Sequence, residues 1–141
     1  MKHGVFGPTQ SVAGGGVYSD FEHVSVCLST VHDVSMFITG GGKGIEALAE
    51  RFAEETGKSF ERIRPNFHSL FGSKIKNPNV KIDSLPVSLR QQVFAARNDE
   101  IIMRSDRVIF FWDGEFFEIG QLIRRAISLK KSVLVFPLKG N

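Results

Sequence analysis

The chain has 141 residues, 42% of them apolar, a net charge of +3 and a single cysteine. That is enough chain for one ordinary hydrophobic core and too apolar for a disordered segment. The composition excludes a membrane-spanning helix, which needs roughly 20 apolar residues in a row, an internal disulfide, and the concentrated basic block of a dedicated nucleic-acid binder. No basic segment followed by an apolar stretch opens the chain, so no secretory signal is expected. Lone Cys27 between Val26 and Leu28 reads as a small core hydrophobe suited to a reducing cytoplasm. The 13 phenylalanines predict an aromatic core or interface.

Residues 2–6 form a short apolar run that stops at Gly7-Pro8, which predicts a first strand. Gly14-Gly15-Gly16 suits neither helix nor strand and is expected to be a loop. From Ser19 or Asp20 as cap, the spacing of Phe21, Val24, Leu28 and Val31 predicts an amphipathic helix. Val34 to Thr39 is a second apolar strand that runs into Gly40-Gly41-Gly42-Lys43-Gly44. Ile45, Leu48, Ala49, Phe52 and Ala53 then recur at helical spacing until Gly57.

Phe60 to Arg64 reads as a third strand closed by Pro65. Residues 66–85 show no sustained period and are expected to be a long loop or lid. Pro86 suits the first turn of a helix running to about Arg104, with Leu89, Val93, Phe94, Ala96 and Ile101 inward. Val108 to Trp112 is an unbroken apolar strand ending at Asp113-Gly114. A last helix from about Phe117 to Leu129 carries Ile119, Leu122, Ile123, Ala126 and Ile127, and Val133 to Phe136 closes the chain as a strand.

Strands alternating with helices predict an α/β fold: one Rossmann-like domain over residues 1–141, with a mostly parallel five-stranded sheet and helices on both faces. In such sheets ligands sit beyond the carboxyl ends of the strands. Three candidate loops meet at that edge: Gly7-Pro8-Thr9-Gln10-Ser11, Gly40 to Gly44, and Asp113-Gly114. Glycines let the backbone approach an anion, the following helix presents free N–H groups, and Lys43 adds a cation. The turn is neither GxxxxGK[ST] nor GxGxxG, so it is no standard P-loop or dinucleotide fingerprint.

Arg97 offers a planar fork for a phosphate and Asn98 a partner for ribose or base; the plain alternative is a solvated helix face on which Glu100 engages Arg97. Asp113 suits a ribose hydroxyl or the cap of the next helix, and Trp112 the core or a pocket wall. His3, His23, His32 and His68 show no metal-ligand spacing. No Ser/His/Asp or Cys/His pattern points to a nucleophile.

Thr39-Gly40-Gly41-Gly42-Lys43-Gly44-Ile45-Glu46-Ala47-Leu48-Ala49 resembles the GGxxGxDxLA segment of the SLOG superfamily, the Rossmann-like group of the LOG phosphoribohydrolases and the DprA and YpsA-like proteins. Arg97-Asn98, Met103 and Asp106 through Gly114 are similar to the RN…M…aDxviaFWDG pattern of its YpsA-related members. Val133-Leu134-Val135 after Lys130-Lys131 resembles their GKPVxVV strand. The likeness covers residues 34–64 and 95–136; the glycine-rich loop near 12–18 and residues 66–85 look like insertions.

The resemblance implies a nucleotide-derived ligand of the NAD, ADP-ribose or cyclic-nucleotide type, held by Gly7, Pro8, Thr9, Gln10, Gly40 to Gly44, Glu46, Arg97, Asn98, Asp113 and Gly114. It also puts Glu118-Ile119 where relatives have a Gly-Thr phosphate turn, and Gln121 where LOG enzymes have their catalytic Glu. Glutamine is no general acid or base. The first expectation is therefore a cytoplasmic sensor or sequestering module without catalysis.

A second expectation is an N-glycosidic or phosphoribosyl hydrolase using Arg97 with Glu46, Glu115 or Glu118. A third, by likeness to DprA, is a single-strand nucleic-acid binder using Lys74, Lys76, Lys81, Arg124, Arg125, Lys130 and Lys131. No metal is expected, and apolar helix faces together with the resemblance suggest a homo-oligomer.

Overall fold

In the computed structural model, residues 1–7, 21–65 and 86–138 are described. The elements are β1 (Lys2–Phe6), α1 (Phe21–Ser29), β2 (Met36–Thr39), α2 (Ile45–Glu55), β3 (Ser59–Arg62), α3 (Val87–Arg104), β4 (Arg107–Trp112), α4 (Phe117–Ser128) and β5 (Ser132–Pro137). The five strands form one all-parallel sheet in the order β3-β2-β1-β4-β5. The expected fold class holds: the chain is a Rossmann-like α/β domain. The Gly14-Gly15-Gly16 loop and the lid expected at 66–85 lie outside the described residues.

The inner strands β2 and β4 carry apolar runs, Met36 to Ile38 and Val108 to Trp112, because both their faces are covered. Strand side chains still alternate between the faces. Val5, Phe37, Ile109 and Phe111 point to the side covered by α1 and α2, where Val24, Leu28, Ile45, Ala49 and Phe52 pack. Phe6, Ile38, Val108 and Phe110 point to the side of α3 and α4, against Ile101, Ile102, Ile119 and Ala126. The phenylalanines do form the expected aromatic core: Phe6 stacks on Phe110 at 5.5 Å, and Phe37 meets Phe52 edge-on at 6.0 Å. Burying each such ring contributes about 1.5–3 kcal/mol. Cys27 sits in this core as expected.

One inward assignment fails. Phe94 is 37% exposed. Its ring borders a cleft beside Arg97 instead of packing on the sheet, while neighbouring Val93 is 1% exposed. Ile127 is 60% exposed because it lies on the flank of α4, away from the strands that α4 covers. Element ends also move slightly: α1 stops at Ser29, β2 starts at Met36 and β3 ends at Arg62.

The chain builds β1, β2 and β3 in one direction, then returns to the other side of β1 for β4 and β5. Strand order therefore reverses between β1 and β4, and their carboxyl ends open the crevice where ligands bind in such folds.

Candidate functional site

At this reversal point a cleft of 590 Å³ opens between the end of β1, α2, α3 and α4. Ordinary ligand pockets span roughly 300–1,000 Å³. Its floor is Phe6 and Gly7, and Glu46, Arg97 and Asn98 stand at the sheet edge. Phe94 and Gln91 rise on the α3 side, and Phe116, Phe117, Glu118 and Gln121 on the α4 side.

The glycine turn explains how Glu46 and Arg97 come together. Gly44 caps α2 with φ of +94°, a left-handed conformation that glycine adopts without strain. The helix then starts with Ile45, and Glu46 in its first turn folds back into the protein, only 6% exposed. Its Oε1 accepts a hydrogen bond from the Gly40 amide at 2.7 Å. The Gly40 carbonyl in turn accepts from Arg97 Nη1 at 3.3 Å. A methyl group on Gly40 would stand 2.5 Å from Arg97 Nη1 and 3.0 Å from Glu46 Oε1. Glycine at position 40 makes room for this close approach of Arg97 and Glu46.

Arg97 is further held by Asn98, whose Oδ1 accepts from its Nε at 3.1 Å, and its guanidinium lies 5.2 Å over the Phe94 ring. Glu100 pairs with Arg104 instead, at 3.1 Å, so the plain reading of a solvated Arg97-Glu100 face is wrong. Burial pulls the Arg97 pKa down from its usual value, opposed by the charge of Glu46. Burial pushes the Glu46 carboxyl up; the Gly40 amide and Arg97 oppose the rise, and Glu50 adds to it.

One turn along α2, Glu50 is also buried and makes a second acid–base unit. It accepts from Thr39 Oγ1 at 2.7 Å and takes a two-pronged contact from Arg62, with Nη2 at 2.7 Å and Nε at 2.8 Å. This unit locks the end of β2 to the end of β3.

The remaining expected site residues are distributed differently. Gly40 and Gly41 border a separate hollow of 390 Å³ with Arg62, Arg64 and Pro65. Lys43 is exposed, and neither it nor Gly42 or Gly44 lines the main cleft. Asp113 uses Oδ1 for its own turn, accepting from the amides of Glu115 and Phe116 at 2.8 Å each. Gly114 and Glu115 border a third hollow with Trp112. Trp112 is a half-buried wall whose Nε1 donates to the Phe116 carbonyl at 2.8 Å. Pro8, Thr9, Gln10 and His68, with Lys74, Lys76 and Lys81, lie outside the described residues.

Sequence reasoning missed Glu50 with Arg62, and the wall residues Gln91, Phe94, Phe116 and Phe117. Helical spacing from Arg97 and Gln121 was the available signal for the wall: Phe94 is three residues before Arg97, and Phe117 four before Gln121. Among the described residues, no cluster of His, Cys, Asp and Glu could hold a metal ion, and no helix is long and apolar enough to cross a membrane.

Fold and cleft thus define a Rossmann-like α/β domain with its crevice at the strand-order reversal. Neither a protein-family model nor a curated protein sequence matches the chain. In structure it is similar to the X-ray structure of TM1055, a Northeast Structural Genomics Consortium target, with a TM-score of 0.58 and 19% identity over 94% of this chain and 71% of that one. At that identity the likeness speaks for the fold alone.

Proposed function

We propose that the chain binds a nucleotide-derived small molecule of the NAD, ADP-ribose or cyclic-nucleotide type in the 590 Å³ cleft, as a sensor or sequestering module. The observation that carries this reading is the placement of Arg97. A half-buried guanidinium stands at the strand-order reversal, with its Nε on Asn98 and its Nη1 on the Gly40 carbonyl. Guanidinium has five donors in a planar fork, suited to a phosphate. Asn98 beside it has the donors and acceptor for a ribose or base edge. The SLOG resemblance of residues 39–49 and 97–114 points to the same ligand class.

Gln121 favours binding over turnover. It lines the cleft at the position where the resemblance puts the LOG glutamate, and an amide cannot exchange the proton that glycosidic cleavage needs. A thermal-shift screen with AMP, ADP-ribose, NAD and cyclic dinucleotides tests the reading. Stabilisation by at least one compound, lost in Arg97→Ala, supports it; no shift with any of them sinks it.

A specific observation favours a hydrolase as second reading. Glu46 is a buried carboxyl in the cleft whose pKa is raised by burial, which is how general acids are tuned. Incubation with nucleoside monophosphates and NAD, followed by chromatography, separates the readings. Release of free base that disappears in Glu46→Gln would make the protein an enzyme.

A further inference from the structure

The cleft is chemically lopsided. Its sheet-side end holds the charged and polar groups Glu46, Arg97 and Asn98. Its outer end is walled by Phe94 on α3 and by Phe117 on α4, with Gln91 and Gln121 one helical turn from each ring. Phe117 is 74% exposed, in a protein that buries Phe37, Phe110 and Phe111 completely. Phe117 is a ring left in water at the mouth of the cleft, an unfilled apolar contact, whereas the Phe94 ring already lies under the Arg97 guanidinium at 5.2 Å.

The charges at this end narrow what fills it. Arg125 and Asp99, which also border the cleft, are tied to each other at 3.1 and 3.2 Å across α3 and α4. Glu118 stands beside Phe117 with its carboxyl exposed, which repels an anionic group. A phosphate therefore belongs at the Arg97 end and an uncharged group at the Phe117 end. Each glutamine amide supplies two donors and one acceptor, the complement of a heterocyclic edge.

We infer that the outer end is a base subsite: a purine-sized, uncharged ring stacks on Phe117, with Gln91 and Gln121 bonding its edge. Arg97 and Asn98 hold the ribose-phosphate of the same molecule. The inference rests on the nucleotide reading above and adds which residues choose the base.

Calorimetric titration of the full chain with AMP and with ribose 5-phosphate, which has the same sugar-phosphate and no base, is the test. Aromatic stacking on a base sets the expected size: Phe117→Ala weakens AMP by about tenfold to a hundredfold and leaves ribose 5-phosphate unchanged. Phe117→Trp restores AMP binding, and Arg97→Ala weakens both probes. Equal weakening of both probes by Phe117→Ala, or none, overturns the subsite while the nucleotide site stands. An assembly that falls apart in Phe117→Ala by sedimentation, with AMP affinity unchanged, also overturns it and makes this face a contact between copies. If the wild-type chain binds neither probe, nor ADP-ribose, NAD or a cyclic dinucleotide, the nucleotide reading itself is lost.

Discussion

Glu46 accepts the Gly40 amide proton at 2.7 Å, from inside the helix start that the glycine turn creates. A turn whose amides looked open to an external anion thus gives one of them to a carboxylate of the same chain. Arg97 reaches the other side of Gly40, through its carbonyl, and in the proposed site it is the phosphate partner. Arg97, more than the glycines, is the group that meets a phosphate in this account.

Replacing Glu46 by Ala leaves the buried Gly40 amide without its partner, and an unsatisfied buried donor costs about 1–3 kcal/mol. Glu46→Gln keeps the acceptor. Burial raises the Glu46 pKa, so the folded chain binds this proton more tightly than the unfolded chain. The stability this contributes is full below the unfolded pKa of about 4.3 and is lost as pH rises through the folded value. Urea unfolding at pH 8 is expected to find Glu46→Gln at least as stable as the natural chain and Glu46→Ala clearly weaker.

Gly40→Ala is expected to act on binding more than on folding. The added methyl meets the mobile end of Arg97 at 2.5 Å, so the guanidinium gives way. Stability should fall by no more than about 1 kcal/mol, within the range of ordinary substitutions. Ligand affinity should fall nearly as far as in Arg97→Ala, and the double variant should be no worse than Arg97→Ala alone. Additive losses would mean that Gly40 acts independently of Arg97.

His3 predicts an acid limb in stability. It is fully buried in β1, with Nδ1 3.1 Å from the Met1 carbonyl oxygen and Nε2 without a hydrogen-bond partner. Burial lowers its pKa, with Arg107 and the N-terminus adding to the fall and the Met1 carbonyl and Asp106 opposing it. The unfolded chain then binds the proton first, so stability is full above about pH 6.5 and declines as pH falls toward the folded value. Urea midpoints measured from pH 7.5 to 5 should fall for the natural chain. His3→Leu should lack that component of the slope.

Asp113 separates a structural role from a ligand role. Its carboxylate is held below its usual pKa chiefly by the Glu115 amide and then by the Phe116 amide, the contacts of its own turn. Asp113→Asn retains an acceptor for both and should change neither melting temperature nor ligand affinity appreciably. Asp113→Ala loses both hydrogen bonds and should lower the melting temperature by a few degrees. Loss of binding in a stably folded Asp113→Asn would return this residue to the site.

The sheet was legible because its strands carry their own signal. Val108 to Trp112 is apolar without a break, as a strand covered on both faces must be, and glycine or proline punctuates the ends of β1 and β2. Arg97 and Asn98 were legible from spacing and resemblance. Glu46 was named, but nothing local shows that it is buried, because its partner is an amide six residues earlier brought back by the turn. Glu50 was silent for the same reason: on a helical wheel it is one more acid, and only the approach of Arg62 from β3 makes it an interior group. Phe94 misled because periodicity gives the face of a helix and not whether a sheet lies beneath it.

The central claim is that Arg97 anchors a nucleotide-derived ligand in the cleft. Equilibrium calorimetry of the natural chain and Arg97→Ala against AMP, ADP-ribose, NAD and a cyclic dinucleotide measures it most directly. Saturable one-site binding of at least one compound is expected, weakened tenfold or more in an Arg97→Ala protein that melts as the natural chain does. Binding that is indifferent to Arg97, or no binding across the series, would contradict it.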